Sequence, residues 1–561
     1  MLRTGSIGTP LLAIALAAMA SLAWVDVGRA AEAAGEAPIY VSPSPDEATG
    51  DLAPGAAIVT PGEPITVDEA VALAIQNSLD VQVERYAPLI ARSFAQEVWG
   101  AYDPQVDAFM QYDVTKSPNT FGLNSVANNR DRVKGGSVGV TQLLPYLGAS
   151  LSARYGASSV STRSSIQTLS DQYNADFFIT AKVPLARGLI WNAPWTSVKV
   201  AKHGYRASQE SFRGKVMDTV LATVGAYWNL VAKRDQVRVA QKSLDTARAL
   251  LEQTQTQYEV GVVSRVEVVE AEAGVADREF NVITKANEYR NAQDRLIDVV
   301  LGPELTATTE LQFSPTGDPA DFDKKDVDVA EAVARAFSLR PELRSLGERI
   351  NQREVELKFA KNQRLPRLDA EVEFGYVGIS GQPNPRLNPL FCQPPDCFPP
   401  VSRPFDQADD SFFTDDGSDN LRVMGTFSIP FPNTTARKRV VQRKLELQRA
   451  ESQRTRLEQS IIQEIRTAAR TLEASAQGIE ASERRRLAAE EQLRAERIRL
   501  EHGESTPFLV LEKEEDLVEA ESQRILALQT YRVAEVSLDR AEGTILDVHR
   551  VEIESVREPA R

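Results

Sequence analysis

Side chains able to do covalent or metal chemistry are few in this 561-residue chain. There are three histidines, His203, His502 and His549, and two cysteines, Cys392 and Cys397. The histidines are far apart in sequence, so a His-based triad has little to draw on and a His-rich metal site is not expected. The cysteines sit in FCQPPDCFPP, a Pro-rich loop. In an exported chain such a pair reads as a disulfide that staples the loop, and C-x4-C alone is a weak metal signal. No nucleophile–base–orienter motif, glycine-rich phosphate loop or ligand cluster occurs, so no cofactor and no metal are expected and an enzyme is the remotest reading. The formal net charge of −15, from 79 acidic and 64 basic residues, argues against wrapping nucleic acid, whose affinity comes from phosphate neutralisation. The basic run Arg437-Lys438-Arg439 is followed by Glu446, Glu451, Glu458 and Glu464, which reads as an ion-paired, solvated helix face.

The informative signals lie in the elements. Arg3, an apolar stretch from Leu11 to Ala23, and the small residues Gly28 and Ala30 have the form of a secretory signal peptide. Beyond it no apolar run reaches the roughly 18 residues of a spanning helix. Residues 31–64, rich in Ala, Pro, Gly and Glu, read as a flexible leader. Thr66 and Glu69 form a capping-box pattern that opens a helix running to about Trp99. Helical patterns of very great length cover 193–258 and 434–501, each about 100 Å at 1.5 Å per residue, and shorter ones of about half that length flank them. A rod of this length cannot enclose a core alone and must bury its stripe against neighbouring rods. Leu457, Ile461, Ile465, Ala468, Leu472, Ala476 and Ile479 mark that stripe in the second rod, with an 11-residue period that favours a straight or slightly right-handed course. Val216, Val220, Val224, Tyr227 and Val231 mark it in the first.

Four segments alternate as strands: 106–114, 175–185, 368–376 and 421–429. Each puts apolar residues on one face and, mostly, polar ones on the other; Val372, Phe374 and Tyr376 against Asp369, Glu371 and Glu373 is one case. This is the length and pattern of an outer-membrane strand, and equally of a half-buried strand in a soluble sandwich. Trp99, Trp191, Trp195 and Phe431 stand at strand–helix junctions, where an interfacial girdle or plain core would both place them. Residues 133–156 read as one more hairpin turning at Pro145–Gly148, either a plug, a loop decoration or extra barrel strands.

The two halves repeat each other. DEAVALAIQNSLDV (68–81) aligns with residues 330–343 at an offset of 262, which also superposes Pro104 on Pro366. KVPLARG aligns with SIPFPNT, each leading into a rod. Around the turns the offset is 242, so that Gly261 meets Gly503, Ser264 meets Thr506, Glu270 meets Glu512 and Tyr289 meets Tyr531. The chain therefore divides into signal peptide (1–30), leader (31–64), first repeat (65–301), linker (302–326), second repeat (327–545) and C-terminal tail (546–561).

Taken together, the duplicated DEAVALA-type helix, the strand ending in Pro that feeds a long helix, and the turn pattern at 258–271 make the chain resemble the TolC-like outer membrane efflux protein family over nearly all of 65–545. The resemblance implies an α+β membrane protein: a long periplasmic α-helical barrel joined to a transmembrane β-barrel completed by trimerisation. About four strands per protomer would make a 12-stranded wall, with 133–156 as a possible addition. It implies a homotrimer in outer membrane lipid, the passive exit duct of a tripartite efflux or type I secretion system. The partners would be a periplasmic membrane-fusion adaptor and an inner-membrane transporter of RND, ABC or MFS type. The reading from another class is a periplasmic coiled-coil scaffold or adaptor without a pore. The family's tips place Gly261, Ser264, Gly503 and Thr506 at adaptor docking, although hairpin geometry alone would also call for these residues. By the same resemblance Glu267 matches a position that helps hold the tunnel shut, Glu512 an acidic ring that favours cations, and Glu270 its counterpart. An acidic first turn that merely suits the helix dipole is the plain alternative. Leu500 and Ser505 stand where family members often carry a gate Tyr and Arg, so an ionic latch is in doubt and an apolar constriction at Leu509 is the substitute. The cargo is not legible.

Overall fold

The computed structural model describes residues 41–43, 64–118, 128–302, 313–387, 408–409, 412 and 418–553. The expected signal peptide and the Cys392–Cys397 disulfide lie outside them. In chain order the elements are β1 (Val41–Pro43), β2 (Pro64–Ile65), α1 (Val67–Asn77), α2 (Leu79–Glu97) and a 3-10 turn (Val98–Tyr102). Then come β3 (Gln105–Pro118), β4 (Asn128–Leu143), β5 (Ser150–Ser161), β6 (Leu169–Pro184), α3 (Ala193–Glu259) and α4 (Arg265–Leu301). The second half holds β7 (Ser314–Pro315), α5 (Val329–Leu339), α6 (Pro341–Gln363), β8 (Arg367–Pro383), β9 (Ser418–Ser428), α7 (Thr434–Glu501) and α8 (Pro507–Glu542). It closes with α9 (Ile545–Val548) and β10 (Val551–Ile553).

The rods α3 and α7 have 67 and 68 residues, and each packs its stripe on shorter helices. Val216, Val220, Val224, Tyr227 and Val231 are all buried and pack with α1 and α4 around Leu296 and Val300. Ile461 and Ile465 pack against Ala332 and Ala336 of α5, and Leu472 and Ala476 against Tyr531 and Leu538 of α8. Each of these Val, Leu and Ile side chains contributes about 1.5–3 kcal/mol by leaving water. No single centre holds the core; it runs along the rods. The capping box is present: Glu69 N donates to Thr66 Oγ1 at 3.3 Å and Thr66 N to Glu69 Oε2 at 2.8 Å.

Both flanking helices break where one continuous run was expected, at Ser78 and at Arg340, positions that superpose under the repeat. Pro341 explains the second break, since the residue before a proline is driven to extended backbone. Arg340 obeys, with φ −63° and ψ 121°. At this waist β2 pairs in parallel with β7. Tyr289 and Tyr531 both donate their hydroxyls to backbone carbonyls of the connecting segment, at Phe313 and Asp323. Residues 41–43 and 551–553, read from sequence as leader and tail, pair with each other antiparallel.

The strands form one antiparallel sheet in the order β3-β4-β5-β6-β8-β9. The hairpin at 133–156 is thus realised as two further strands, and the sheet has six where the duplicated plan alone supplies four. Both edge strands, β3 and β9, are exposed along nearly their whole length.

Candidate functional site: an open strand wall and two helical tips

The register sorts the wall into two faces. Apolar side chains stand opposite one another across successive strands: Ala108 with Val138, Val138 with Tyr155, Tyr155 with Phe177, Phe177 with Tyr376, Phe374 with Leu421. The opposite face is ionic, with Arg154 paired to Asp176 at 3.2 Å, Lys182 to Glu371 at 3.3 Å and Arg422 to Glu373 at 3.2 Å. A sheet with an apolar band on one face and ion pairs on the other suits lipid on the first side and water on the second. Strands of 11 to 17 residues reach or exceed the 9–11 or so needed to cross a bilayer. No helix of the described residues is long and apolar enough to cross one.

The junction between strands and helices carries the expected aromatics. Trp99 lies 5.9 Å from Trp195 and Tyr146 4.4 Å from Trp195, ring centre to ring centre, and the Lys199 ammonium stands 4.4 Å from the Trp191 ring. Phe431 belongs to the other repeat, fully exposed at the foot of β9. At the far end of the apolar face, Ala408 and Phe412 from the long 384–417 connection pack on Tyr155, Phe177 and Tyr376, and the Tyr155 hydroxyl donates to Asp409 at 2.8 Å.

The helical tips lie at the other end of the molecule. Gly261 and Gly503 both take positive φ, +77° and +78°, where a Cβ is disfavoured. Thr506 caps α8, accepting from Leu509 N at 3.4 Å. Ser264 does not cap α4; its hydroxyl donates instead to Glu267 Oε1 at 3.4 Å. Glu270 and Glu512 are exposed, and Glu512 has Lys513 3.9 Å away. Leu509 is partly exposed, whereas Leu500 packs against the tip cluster of Ala247, Leu250, Leu493, Val510 and Leu511. The two hairpins touch: the Arg278 guanidinium donates to the Leu511 carbonyl at 3.0 Å, and a Cβ on Gly274 would fall 2.7 Å from a Leu511 methyl.

Two buried acids at the tips were not anticipated. Glu496 accepts from the Ser505 hydroxyl and pairs with Arg499 at 3.3 Å. Ser505, in place of a latching arginine, thereby ties the turn to its own helix. Glu514 is 3% exposed. Burial pushes its carboxyl above the usual range, against the pull of Arg278 and Arg497 and hydrogen bonds from Ser243 and Thr246. The signal was present: Leu493, Glu496 and Leu500, and Val510, Glu514 and Leu517, place each acid in line with apolar neighbours at helical spacing.

The model of the family described as outer membrane efflux protein matches residues 137–300 and 332–544, about two thirds of the chain. Among solved structures, the outer-membrane channel OprN is similar at 15% identity over 85% of this chain and 90% of that one, with a TM-score of 0.59. The Neisseria gonorrhoeae MtrE outer membrane channel, in its open state, is similar at 17% identity over 86% and 89%, with a TM-score of 0.56. CusC, described in terms of folding and transmembrane channel formation, covers 91% of this chain and 99% of that one at 13% identity and a TM-score of 0.58. No curated protein matches the sequence.

Proposed function

The chain belongs to the outer membrane efflux protein family, and from that premise we propose that three copies join edge to edge into the passive exit duct of a tripartite efflux or type I secretion system. The duct crosses the outer membrane through the strand wall and the periplasm through the helical barrel. An adaptor docks on the tips around Gly261, Ser264, Gly503 and Thr506. Glu267, Glu270, Leu509 and Glu512 line the tip opening, and an inner-membrane transporter of RND, ABC or MFS type supplies the cargo. The protein itself performs no chemistry.

Closure by sister copies is carried by one observation: the surfaces that join the two repeats inside a chain recur, unpartnered, at its ends. Inside the chain β6 pairs with β8, and α3 packs on α6. His203 Nδ1 lies 2.6 Å from Glu348 Oε2, and Gln352 Nε2 donates to the Val200 carbonyl at 2.9 Å. Carrying the second partner back by 262 residues and the helical first partner forward by 242 converts His203–Glu348 into Leu445–Tyr86, and Val200–Gln352 into Gln442–Ile90. Tyr86, Ile90 and Leu445 are 63, 68 and 59% exposed. Val441, Gln442, Leu445 and Arg449 line a shallow, open groove on α7, the place this mapping gives to Tyr86.

For the strands, aligning Pro184 with Pro430 converts the pair Phe177–Tyr376 into Val423–Val114, and Ala181–Val372 into Phe427–Met110. Apolar meets apolar on the lipid face at both pairs, and Met110, 90% exposed in one copy, gains a partner. The edges are antiparallel because the strand number is even, so ring closure leaves no bare hydrogen-bonding edge in lipid, where an unpaired backbone group costs several kcal/mol.

Two cysteine pairs, Val114→Cys with Val423→Cys and Tyr86→Cys with Leu445→Cys, made in a Cys392→Ser/Cys397→Ser background, test this. Both should cross-link into dimers and trimers that survive denaturing electrophoresis, and the membrane-extracted protein should conduct ions across planar bilayers. A soluble, non-conducting monomer without cross-links would return the protein to the scaffold reading.

A further inference from the structure

The helices come as two matched repeats, but the strands do not. Between β3 and β6 the first repeat holds the additional pair β4–β5, whereas β8 pairs directly with β9 and, among the described residues, no such pair stands between them. This pair is laddered without interruption on both sides, from Gln105 opposite Thr141 to Pro118 opposite Asn128, and from Ser150 opposite Lys182 to Ser161 opposite Asp171. Its turn is seated on the aromatic junction. Tyr146 packs on Trp195, and Gly148, at φ +63°, approaches so closely that a Cβ would lie 2.7 Å from the Gly188 carbonyl oxygen. Val138, Val140, Ala153 and Tyr155 continue the lipid-side band, while on the aqueous side Ser137, Gly139, Ser152 and Gly156 surround Arg154 with little bulk.

We propose that β4–β5 is a section of the membrane wall that widens the outer lumen beyond what the two repeats alone would enclose, so that this end of the duct passes solutes of larger cross-section. The inference rests on the trimeric channel described above and deepens it. Three copies of a six-stranded sheet make an 18-stranded barrel, against 12 without the insertion. Barrel diameter grows roughly in proportion to strand number, and barrels of 16–18 strands or so enclose an open aqueous channel. The helical barrel gains no matching element, so the widening is confined to the membrane end. Apart from Arg154, held to the wall by Asp176, Ser137, Gly139, Ser152 and Gly156 leave the added width open.

The test measures which neutral polyethylene glycols, graded by size and added on the loop side, enter the open pore and lower its conductance. Deleting 128–161 joins β3 to β6, which run antiparallel, and should lower the cut-off radius by about 1.5-fold with three copies still present. An unchanged cut-off in an assembled, conducting deletion variant would overturn the proposal. Should that variant fail to assemble, the full chain decides. Val138→Arg, facing lipid, should cut the yield of membrane-extracted oligomer at least tenfold, whereas Ser137→Arg, facing the lumen, should leave it within twofold. Equal tolerance of the two would place the hairpin outside the wall and overturn the proposal. A native mass other than three copies, or no conductance from the full chain, would instead overturn the channel reading on which it rests.

Discussion

Glu342 stands beside two buried guanidinium groups at the waist. It accepts from Arg340 Nε at 3.2 Å and from Arg540 Nη2 at 2.6 Å, and Arg540 also reaches Asp218 at 2.7 Å. Burial alone would raise its carboxyl, but the hydrogen bond from Arg340 and the charge of Arg540 outweigh it and hold the group at about 2, against an ordinary 4.5. A depressed carboxyl stabilises the folded state above its unfolded value, and that contribution is lost as pH falls from about 4.5 towards 2. Glu342→Gln should therefore destabilise the protein at pH 7 by roughly 1–3 kcal/mol and flatten the acid limb of its stability; a denaturant series from pH 7 to pH 3 reads both effects. Glu514 has the opposite sign, since its raised carboxyl favours the folded tip at acidic pH and that contribution fades as pH rises through the folded value. At the mouth, Glu270→Ala with Glu512→Ala should move the cation-to-anion permeability ratio towards one in bilayer recordings, and unchanged selectivity would leave both acids as plain helix-terminus charges. Sequence pattern located Glu270 and Glu512 through the repeat. It passed over Glu514 and Glu342, because Arg278 and Arg540 reach them from helices remote in the chain, and over Glu496, whose partners Arg499 and Ser505 are local.

The helices and strands were the most legible level. Rod lengths, the Thr66 cap and the apolar stripes follow from local periodicity, and the alternation of the four repeat strands follows from their period of two. The breaks at Ser78 and Arg340 were hidden within runs that read as continuous, although Pro341 signals one of them. At the tips, Gly261 and Gly503 sit in open space, so substitution meets backbone strain and no steric clash. Gly503→Ala should cost roughly 1–2 kcal/mol, localised to the turn. Hydrogen exchange should quicken between about Leu493 and Leu517 while the waist stays protected, and adaptor-dependent export should weaken. The cap at Ser264 illustrates a limit of the repeat: Thr506 caps its helix, but Ser264 bonds Glu267, whose repeat counterpart is Leu509 and offers no such acceptor.

At the scale of the whole molecule, one chain leaves surfaces that the proposed ring would cover. Among the described residues its sheet has two unpaired edges, and α2 leaves Val83, Tyr86, Ile90 and Phe94 exposed along one stripe. Sequence alone determined the parts: two copies of a unit with rods too long to fold on themselves and strands with one apolar face. These properties come from spacing along the chain, which short-range periodicity and duplication record directly. Only the tertiary structure decided that 133–156 enters the sheet as two wall strands, that the hairpin tips lie side by side, and that acids buried at tip and waist meet arginines from other helices. Strand order and buried charge pairing depend on contacts between residues distant in sequence, and for those no local period exists to be read.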